Sequence, residues 1–301
     1  MRKNDFFISV LIATYNRSRS LKDTLDSLLN QERKDNFSYE AIVIDNNSSD
    51  KTKSTIESYM EKFAGKLKYV FEPKQGKAYA LNAGIHQARG EVLAFTDDDV
   101  IVDKKWLQAI YDIFQNEEVK CAGGKILALW DREKPLWYSD KIETVIPHID
   151  YGNTERLIEY ATGANMAVRK EVFEKTGLFE IMPAEDSIFS RKLRKDFVIW
   201  YFPFLIVQHK VLRERLNKRY FRQWYFKSGK SISKIRAQYP EPERKLLDVP
   251  LWMYKAFLKN VFFYFLNLYN SKERFFNELN SIRFLGFWIQ RANHNVFQEN
   301  Y

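Results

Sequence analysis

The segment "EVLAFTDDDVIV" (91–102) carries an apolar run into three consecutive carboxylates, Asp97, Asp98 and Asp99, and then turns apolar again. Like charges a few ångströms apart repel, so such a triplet at the mouth of a hydrophobic strand needs a cation or solvent to relieve it. Carboxylate oxygens are hard ligands that suit Mg2+ or Mn2+, which makes a divalent metal the favoured source of relief. A second acidic pair, Glu185 and Asp186, opens the helical pattern "AEDSIFSRKLRK" (184–195), where acids also favour the dipole of a helix start. His209 follows in "FLIVQHKVLRERL", whereas His86, His148 and His294 have no spacing that supports a metal site.

These residues need a scaffold, and the first hundred residues describe one by alternating two periods. "FFISVLIATY" (6–15), "YEAIVIDN" (39–46), "KLKYVFEP" (66–73) and "EVLAFTD" (91–97) read as strands apolar along their whole length. Between them, Leu21, Leu25, Leu28 and Leu29 form one helical stripe, a second helix is expected from the Ser48–Asp50 caps to about Phe63, and a third near 77–88. Continuous apolar strands separated by helices predict an α/β fold, a mainly parallel sheet covered on both faces. Ligands in such sheets gather at the carboxyl ends of strands. Three polar strand ends, "ATYNR" (13–17), "IDNNSSD" (44–50) and "TDDD" (96–99), therefore converge on one edge.

Composition narrows the class. With 24 Phe, 17 Tyr and 7 Trp in 301 residues, the chain is a folded protein with a sizeable core. A single cysteine, Cys121, permits no internal disulfide and suits a reducing compartment. The opening "MRKNDFF" has no long apolar stretch, so no secretory leader is expected and the cytoplasm is the expected location. The net charge of +9 is concentrated: residues 210–245 hold twelve Lys/Arg against three acids. A basic region of this kind meets phosphates on nucleic acid, lipid headgroups or a phosphorylated substrate.

Read in order, "SVLIATYNR", "VIDNNSSD", "GKAYALNAGIHQARGEVLAFTDDD", "GANMAVRKEVF" and "AED" resemble the inverting glycosyltransferases of family 2, which have the GT-A fold. The resemblance covers about residues 6 to 210 and implies transfer of a sugar from a nucleotide-sugar donor to an acceptor hydroxyl, in surface polysaccharide or glycolipid assembly. It implies Asp99 as a metal ligand, with Asp97 and Asp98 facing the ribose and the metal's shell, and His209 completing that shell or touching phosphate. Thr14, Tyr15 and Arg17 after the first strand and Asp45 and Asn46 after the second would hold the nucleotide, Tyr15 by stacking on the base. The family often has Asp-Asp where this chain has Asp45-Asn46, which leaves the base open, with a UDP-sugar preferred. Lys77 and Asn82 would reach the diphosphate or sugar, and Arg213 the diphosphate. Asp186 resembles the family's base, with Glu185 orienting the acceptor or the base. Trp130, Trp137, Tyr138 and Tyr151 could stack on sugar rings or serve in the core.

Beyond residue 212 the pattern changes to long helices, so the expected division is a GT-A domain over 1–212 and a basic, aromatic-rich helical region over 213–301. "RYFRQWYFKSGKSISKIR" (219–236) puts Tyr220, Phe221, Trp224 and Tyr225 on one face, and the lysines of "LWMYKAFLKNVFFYFLNLY" (251–269) interrupt a rich apolar run. Two readings stay open: peripheral contact with an anionic membrane on its cytoplasmic side, or helices packed on the core. The rival function is a noncatalytic nucleic-acid-binding protein using this tail. Both acidic sites weigh against it, and nucleic acid is not an expected partner.

Overall fold

A computed structural model describes residues 6–34 and 37–298, with residues 143–144 and 294–298 described by backbone alone. Residues 1–5, where a leader would begin, and the side chain of His294 therefore lie outside what is described. The alternating periods become β1 (Phe7–Thr14), α1 (Ser18–Leu29), β2 (Ser38–Asp45), α2 (Thr52–Glu57), β3 (Leu67–Phe71), α3 (Lys77–Gln87) and β4 (Val92–Asp97). Their strands lie in the order β3-β2-β1-β4 and all three pairings are parallel. Helix α2 is shorter than the expected run to Phe63. After Glu57 the chain tightens into i+3 turns, Tyr59 N–H to the Ile56 carbonyl and Met60 N–H to that of Glu57, which still deliver Tyr59 and Phe63 to the core.

Past β4 the sheet changes sense. β5 (Val100–Val102), α4 (Trp106–Phe114), β6 (Cys121–Trp130), β7 (Arg156–Ile158), β8 (Met166–Arg169), α5 (Val172–Thr176), α6 (Glu185–Leu193) and β9 (Ile199–Val211) follow in the chain. The sheet continues β4-β8-β6-β9-β5, with β7 also on β9, and β8 is antiparallel to both β4 and β6. The period of two along each strand sends Ile8, Val10 and Ile12 to one face, against Leu21, Leu25 and Trp106. Leu11, Ile42 and Phe95 point to the other, against Leu81, Ile85 and Phe189.

The pairing of β5 with β9 is what carries His209 to the acidic turn. Val100 and His209 are register partners, and Lys210 N–H donates to the Asp99 carbonyl at 3.0 Å. Strand β9 is in turn fixed by Asn165, a fully buried side chain. Its Nδ2 donates to the carbonyls of Lys125 (3.0 Å) and Leu205 (2.9 Å), and its Oδ1 accepts from Trp106 Nε1 (2.9 Å). Gly124 is required by the closeness of these strands: a Cβ there would lie 2.1 Å from the Leu205 carbonyl oxygen and 2.3 Å from Asn165 Nδ2.

The chain divides into one unit of residues 1–129 and 148–210 and another of 130–147 and 211–301. The second contains α7 (Lys218–Gln238), the short antiparallel pair β10 (Lys245–Leu246) and β11 (Val249–Pro250), α8 (Leu251–Leu266) and α9 (Ser271–Gln298). Asn217 caps α7, its Oδ1 accepting from Tyr220 N–H at 2.9 Å. Phe221, Tyr225, Gly229 and Ser233 form the buried stripe of α7. A Cβ on Gly229 would lie 2.0 Å from the Arg283 carbonyl oxygen and one on Gly286 2.2 Å from that of Phe226, so the glycines let α7 and α9 approach closely. Trp137 meets Phe221 and Phe275 edge to face, and Trp130 meets Tyr138 likewise. Among the described residues no helix is long and apolar enough to cross a membrane.

Gly124→Ala should lower the unfolding free energy by about 1–3 kcal/mol, the usual cost of overpacking a close contact. Urea denaturation measures it, and an unchanged midpoint would show that β6 and β9 can part at no cost.

Candidate functional site

Three carboxylates at the end of β4 are relieved in three different ways. Asp97, the last residue of β4, takes an ion pair from Lys77 Nζ at 2.6 Å. Asp99 takes Arg17 Nη1 at 2.6 Å and faces His209 Nε2 at 3.2 Å. Asp98 turns inward and accepts a hydrogen bond from the Thr14 hydroxyl at 2.7 Å. Burial pushes the Asp97 carboxyl up, but Lys77, His209 and Arg17 outweigh it and hold it below the ordinary range. At Asp98, burial followed by the charge of Asp99 outweighs the Thr14 hydrogen bond and the pull of Arg17 and pushes the carboxyl up to about 7.

Oxygens of Asp97 and Asp99 and a nitrogen of His209 lie within 4.8 Å of one another. His209 Nε2 stands 3.9 Å from Asp97 Oδ2, while its Nδ1 lies 3.3 Å from the Lys210 carbonyl. When Nδ1–H donates to that carbonyl, Nε2 presents its lone pair to the two carboxylates. Three acceptors facing one point fit a divalent cation, and an imidazole tied back through its other nitrogen is the usual geometry of a metal-bound histidine. Asp97 enters this set although the sequence reading assigned it to ribose and shell. The signal for it was the Asp-X-Asp spacing, and the turn at Asp98–Asp99 that follows β4 sets the two outer carboxylates beside His209.

The second acidic pair stands across from the first. Ala184 takes the left-handed conformation (φ 60°) immediately before α6, turning the chain so that Glu185 and Asp186 occupy its first turn. Asp186 Oδ2 accepts from the Gly163 N–H at 3.2 Å and, at 3.5 Å, from the Tyr160 hydroxyl, while Oδ1 accepts from the Ser187 N–H at 2.8 Å. Burial, then Asp186, push the Tyr160 hydroxyl well above the ordinary range, so it stays a proton donor. Glu185 is also shifted up, by burial, against the pull of Lys77 at 3.7 Å. Lys77 therefore links both acidic groups. Desolvation works against its charge, but Asp97, Glu185 and Asp186 outweigh it and raise its pKa. Tyr160 was not read from the sequence, and Gly163, which opens the motif "GANMAVRKEVF", was given no site role, because their bonds to Asp186 join segments more than twenty residues apart.

The remaining expected residues separate into open and engaged. Tyr15 is 49% exposed, on a loop tied down by Asn16, whose Oδ1 accepts from the N–H groups of Ser49 and Asp50. Asp45 is buried, and its oxygens take the Ser48 N–H (2.9 Å) and the Tyr69 hydroxyl (3.1 Å). The Asn46 amide donates to the carbonyls of Glu72 and Lys74 and accepts from Gly76 N–H, holding the turn into α3. Asn82 spends its amide on the backbone of Phe179 (2.9 and 3.0 Å) and is not brought into the acidic cluster. Tyr151 meets Tyr201 edge to face, and Arg213 begins a short turn of the second unit.

The chain matches the family described as Glycosyl transferase family 2 over residues 9–177. Among curated proteins it is similar to the uncharacterized glycosyltransferase alr2836 of Nostoc sp., 29% identical over 69% of this chain and 63% of the relative. It is also similar to the GalNAc(5)-diNAcBac-PP-undecaprenol beta-1,3-glucosyltransferase of Campylobacter jejuni, 40% identical over 31% of this chain and 29% of that protein. The chain thus spans less than two thirds of these relatives' own lengths. Among solved structures, the mannosyltransferase PcManGT from Pyrobaculum calidifontis in complex with GDP-Man and Mn2+ aligns with a TM-score of 0.59 at 17% identity, over 96% of this chain and 75% of that one. At that identity the likeness speaks for the fold, which is of the GT-A kind.

Thr14→Val should cost about 1–3 kcal/mol of stability, because the buried Asp98 carboxyl loses its hydroxyl donor. A double-mutant cycle with Asp98→Asn measures the coupling by chemical denaturation. Strictly additive losses would show that the two side chains do not depend on each other.

Proposed function

The chain belongs to glycosyl transferase family 2, and from that premise we propose that it moves a sugar, by direct displacement with inversion, from a nucleotide-sugar donor to an acceptor hydroxyl. The observation that carries this reading is the cluster of Asp97, Asp99 and His209, joined through Lys77 to Glu185 and Asp186. Asp99 and His209, with Asp97 beside them, would hold Mn2+ or Mg2+, whose charge offsets that of a departing diphosphate. Arg17 and Lys77, now paired with Asp99 and Asp97, are the cations nearest to that charge and would share in binding it.

Asp186 acts as the general base. The acceptor oxygen bonds to the anomeric carbon as the bond to the diphosphate breaks, and the hydroxyl proton passes to the Asp186 carboxylate. The Gly163 N–H keeps that carboxylate in place, and Glu185 orients the acceptor or the base. Tyr15 stacks on the nucleotide base, with Thr14, Asp45 and Asn46 around the nucleoside and Asp98 facing the ribose; Asn82, expected at the diphosphate or sugar, instead holds the Phe179 backbone. A UDP-sugar remains the preferred donor, although PcManGT was solved with GDP-Man. Hexosyl and N-acetylhexosaminyl transfer both fit. The acceptor is a glycan or a lipid-linked glycan in surface polysaccharide or glycolipid assembly, a reading supported by the undecaprenol-linked acceptor named for the Campylobacter relative. Residues 1–212 would form the transferase domain of a cytoplasmic enzyme, and the helical region 213–301 would keep it peripherally on the inner face of an anionic membrane.

Two substitutions test the chemistry once a donor has been found by screening nucleotide sugars for hydrolysis with Mn2+. Asp186→Asn should reduce turnover roughly 10²-fold or more while leaving the donor KM nearly unchanged. Loss of donor binding in equal measure would make Asp186 a nucleotide or structural residue instead. Asp99→Asn should abolish the thermal stabilisation by Mn2+ and most of the activity, since an amide is a poorer ligand than a carboxylate. Wild-type activity that survives exhaustive chelation would sink the metal assignment.

A further inference from the structure

We propose that the second unit carries a docking face for an anionic lipid bilayer, formed by the outward stripe of α8 and a cationic pocket at the C-terminal end of that helix that takes a lipid phosphate. This deepens, and rests on, the peripheral membrane contact proposed above.

Helix α8 is buried on one side only. Met253 is covered, and Tyr254 and Phe257 meet Phe284 of α9 with ring centroids 5.4 and 4.6 Å apart. The opposite stripe is apolar: Trp252, Leu258, Phe262, Phe265 and Leu266 are between 52% and 65% exposed. A run of large apolar side chains at helical spacing marks a surface that another phase or partner covers. Its charge identifies the partner. Residues 249–272 contain Lys255, Lys259 and Lys272 and no acid, and the unit as a whole has 20 Lys/Arg against 11 Asp/Glu. Lys255 and Lys259 stand among these exposed apolar side chains, and a helix whose outward face mixes large apolar residues with long-stemmed lysines lies in the plane of a membrane interface, the ammonium groups reaching headgroups and Trp and Tyr at headgroup level.

The pocket supplies the second observation. A cavity of about 280 Å³ is lined by Lys218 and Arg222 of α7, Arg274 of α9 and Tyr264 of α8, with Glu278 as its acid. Glu278 pairs with Arg222 at 2.5 Å, and Arg274 Nη2 donates to the Tyr264 hydroxyl at 2.9 Å. Three cations against one carboxylate favour an anion, and guanidinium groups suit phosphate oxygens. Leu268 lines the same cavity while 52% exposed, so the mouth of the pocket adjoins the apolar stripe. A headgroup phosphate entering the pocket while its acyl chains meet the stripe satisfies both features. Nucleic acid would leave the stripe facing water, and a second copy would bring two strongly basic units together.

The test is flotation of the full chain with vesicles of phosphatidylcholine alone and of equal parts phosphatidylcholine and phosphatidylglycerol. The wild type should float with the mixed vesicles, less in high salt, and little with the neutral ones. Phe262→Asp with Leu258→Asp should weaken that binding roughly tenfold or more, through lost apolar contact. Lys218→Ala with Arg274→Ala should weaken it by about tenfold, through lost attraction to headgroups. Circular dichroism and unfolding midpoints check that the variants fold. Wild-type chain that ignores the mixed vesicles overturns the whole membrane reading and leaves the transferase reading standing. Variants that float like the wild type overturn this face alone. Tight binding of inorganic phosphate without vesicles, or a dimer in light scattering that Phe262→Asp dissolves, would overturn the lipid as occupant.

Discussion

Asp97, Asp98 and Asp99 end one strand, and the geometry around them follows from the cost of keeping three carboxylates together. Two are paired with cations delivered by other loops, Lys77 from the start of α3 and Arg17 from the turn after β1. The third, Asp98, is tied to the Thr14 hydroxyl, and burial together with the charge of Asp99 raises its affinity for a proton. A site that gathers negative charge this closely has a standing attraction for cations, whether they are side chains or a divalent ion. The side-chain cations that now balance it, Arg17 and Lys77, come from two different segments of the chain.

The rest of the first unit holds that cluster in register. Asn165 ties β6, β9 and Trp106 together by three buried hydrogen bonds, and Gly124 lets the strands come close enough for it to reach them. Because β9 pairs with β5, His209 arrives beside Asp99 by sheet register rather than by any local turn. Ala184, in a conformation unusual for a residue with a side chain, turns the second acidic pair toward Lys77. Backbone strain next to functional groups is common where the surrounding structure over-determines them.

Aromatic residues are used in opposite ways by neighbouring helices of the second unit. On α7, Phe221 and Tyr225 are buried, Arg283 lies 4.2 Å over the Tyr225 ring, and glycines allow α9 to approach. On α8 most of the large apolar side chains face outward. In sequence both helices are basic and aromatic, and only the fold separates them by which aromatic side chains each buries.

The sequence by itself determined the alternation of strands and helices through β4, since period-two and helical apolar patterns are local. It also determined the acidic triplet, the Glu185-Asp186 pair and the family, because each rests on residue types at fixed short spacings. It could not say which partner each carboxylate would take. That depends on which side chains other loops bring within reach, and only the folded chain sets Thr14 against Asp98 and Lys77 between Asp97 and Glu185. The engagement of Asn82 with Phe179, nearly a hundred residues on, was equally invisible, as was the hold of Tyr160 and Gly163 on Asp186. Hydrogen bonds between distant segments are fixed by packing and register, and neither is written in the local pattern that a single sequence displays.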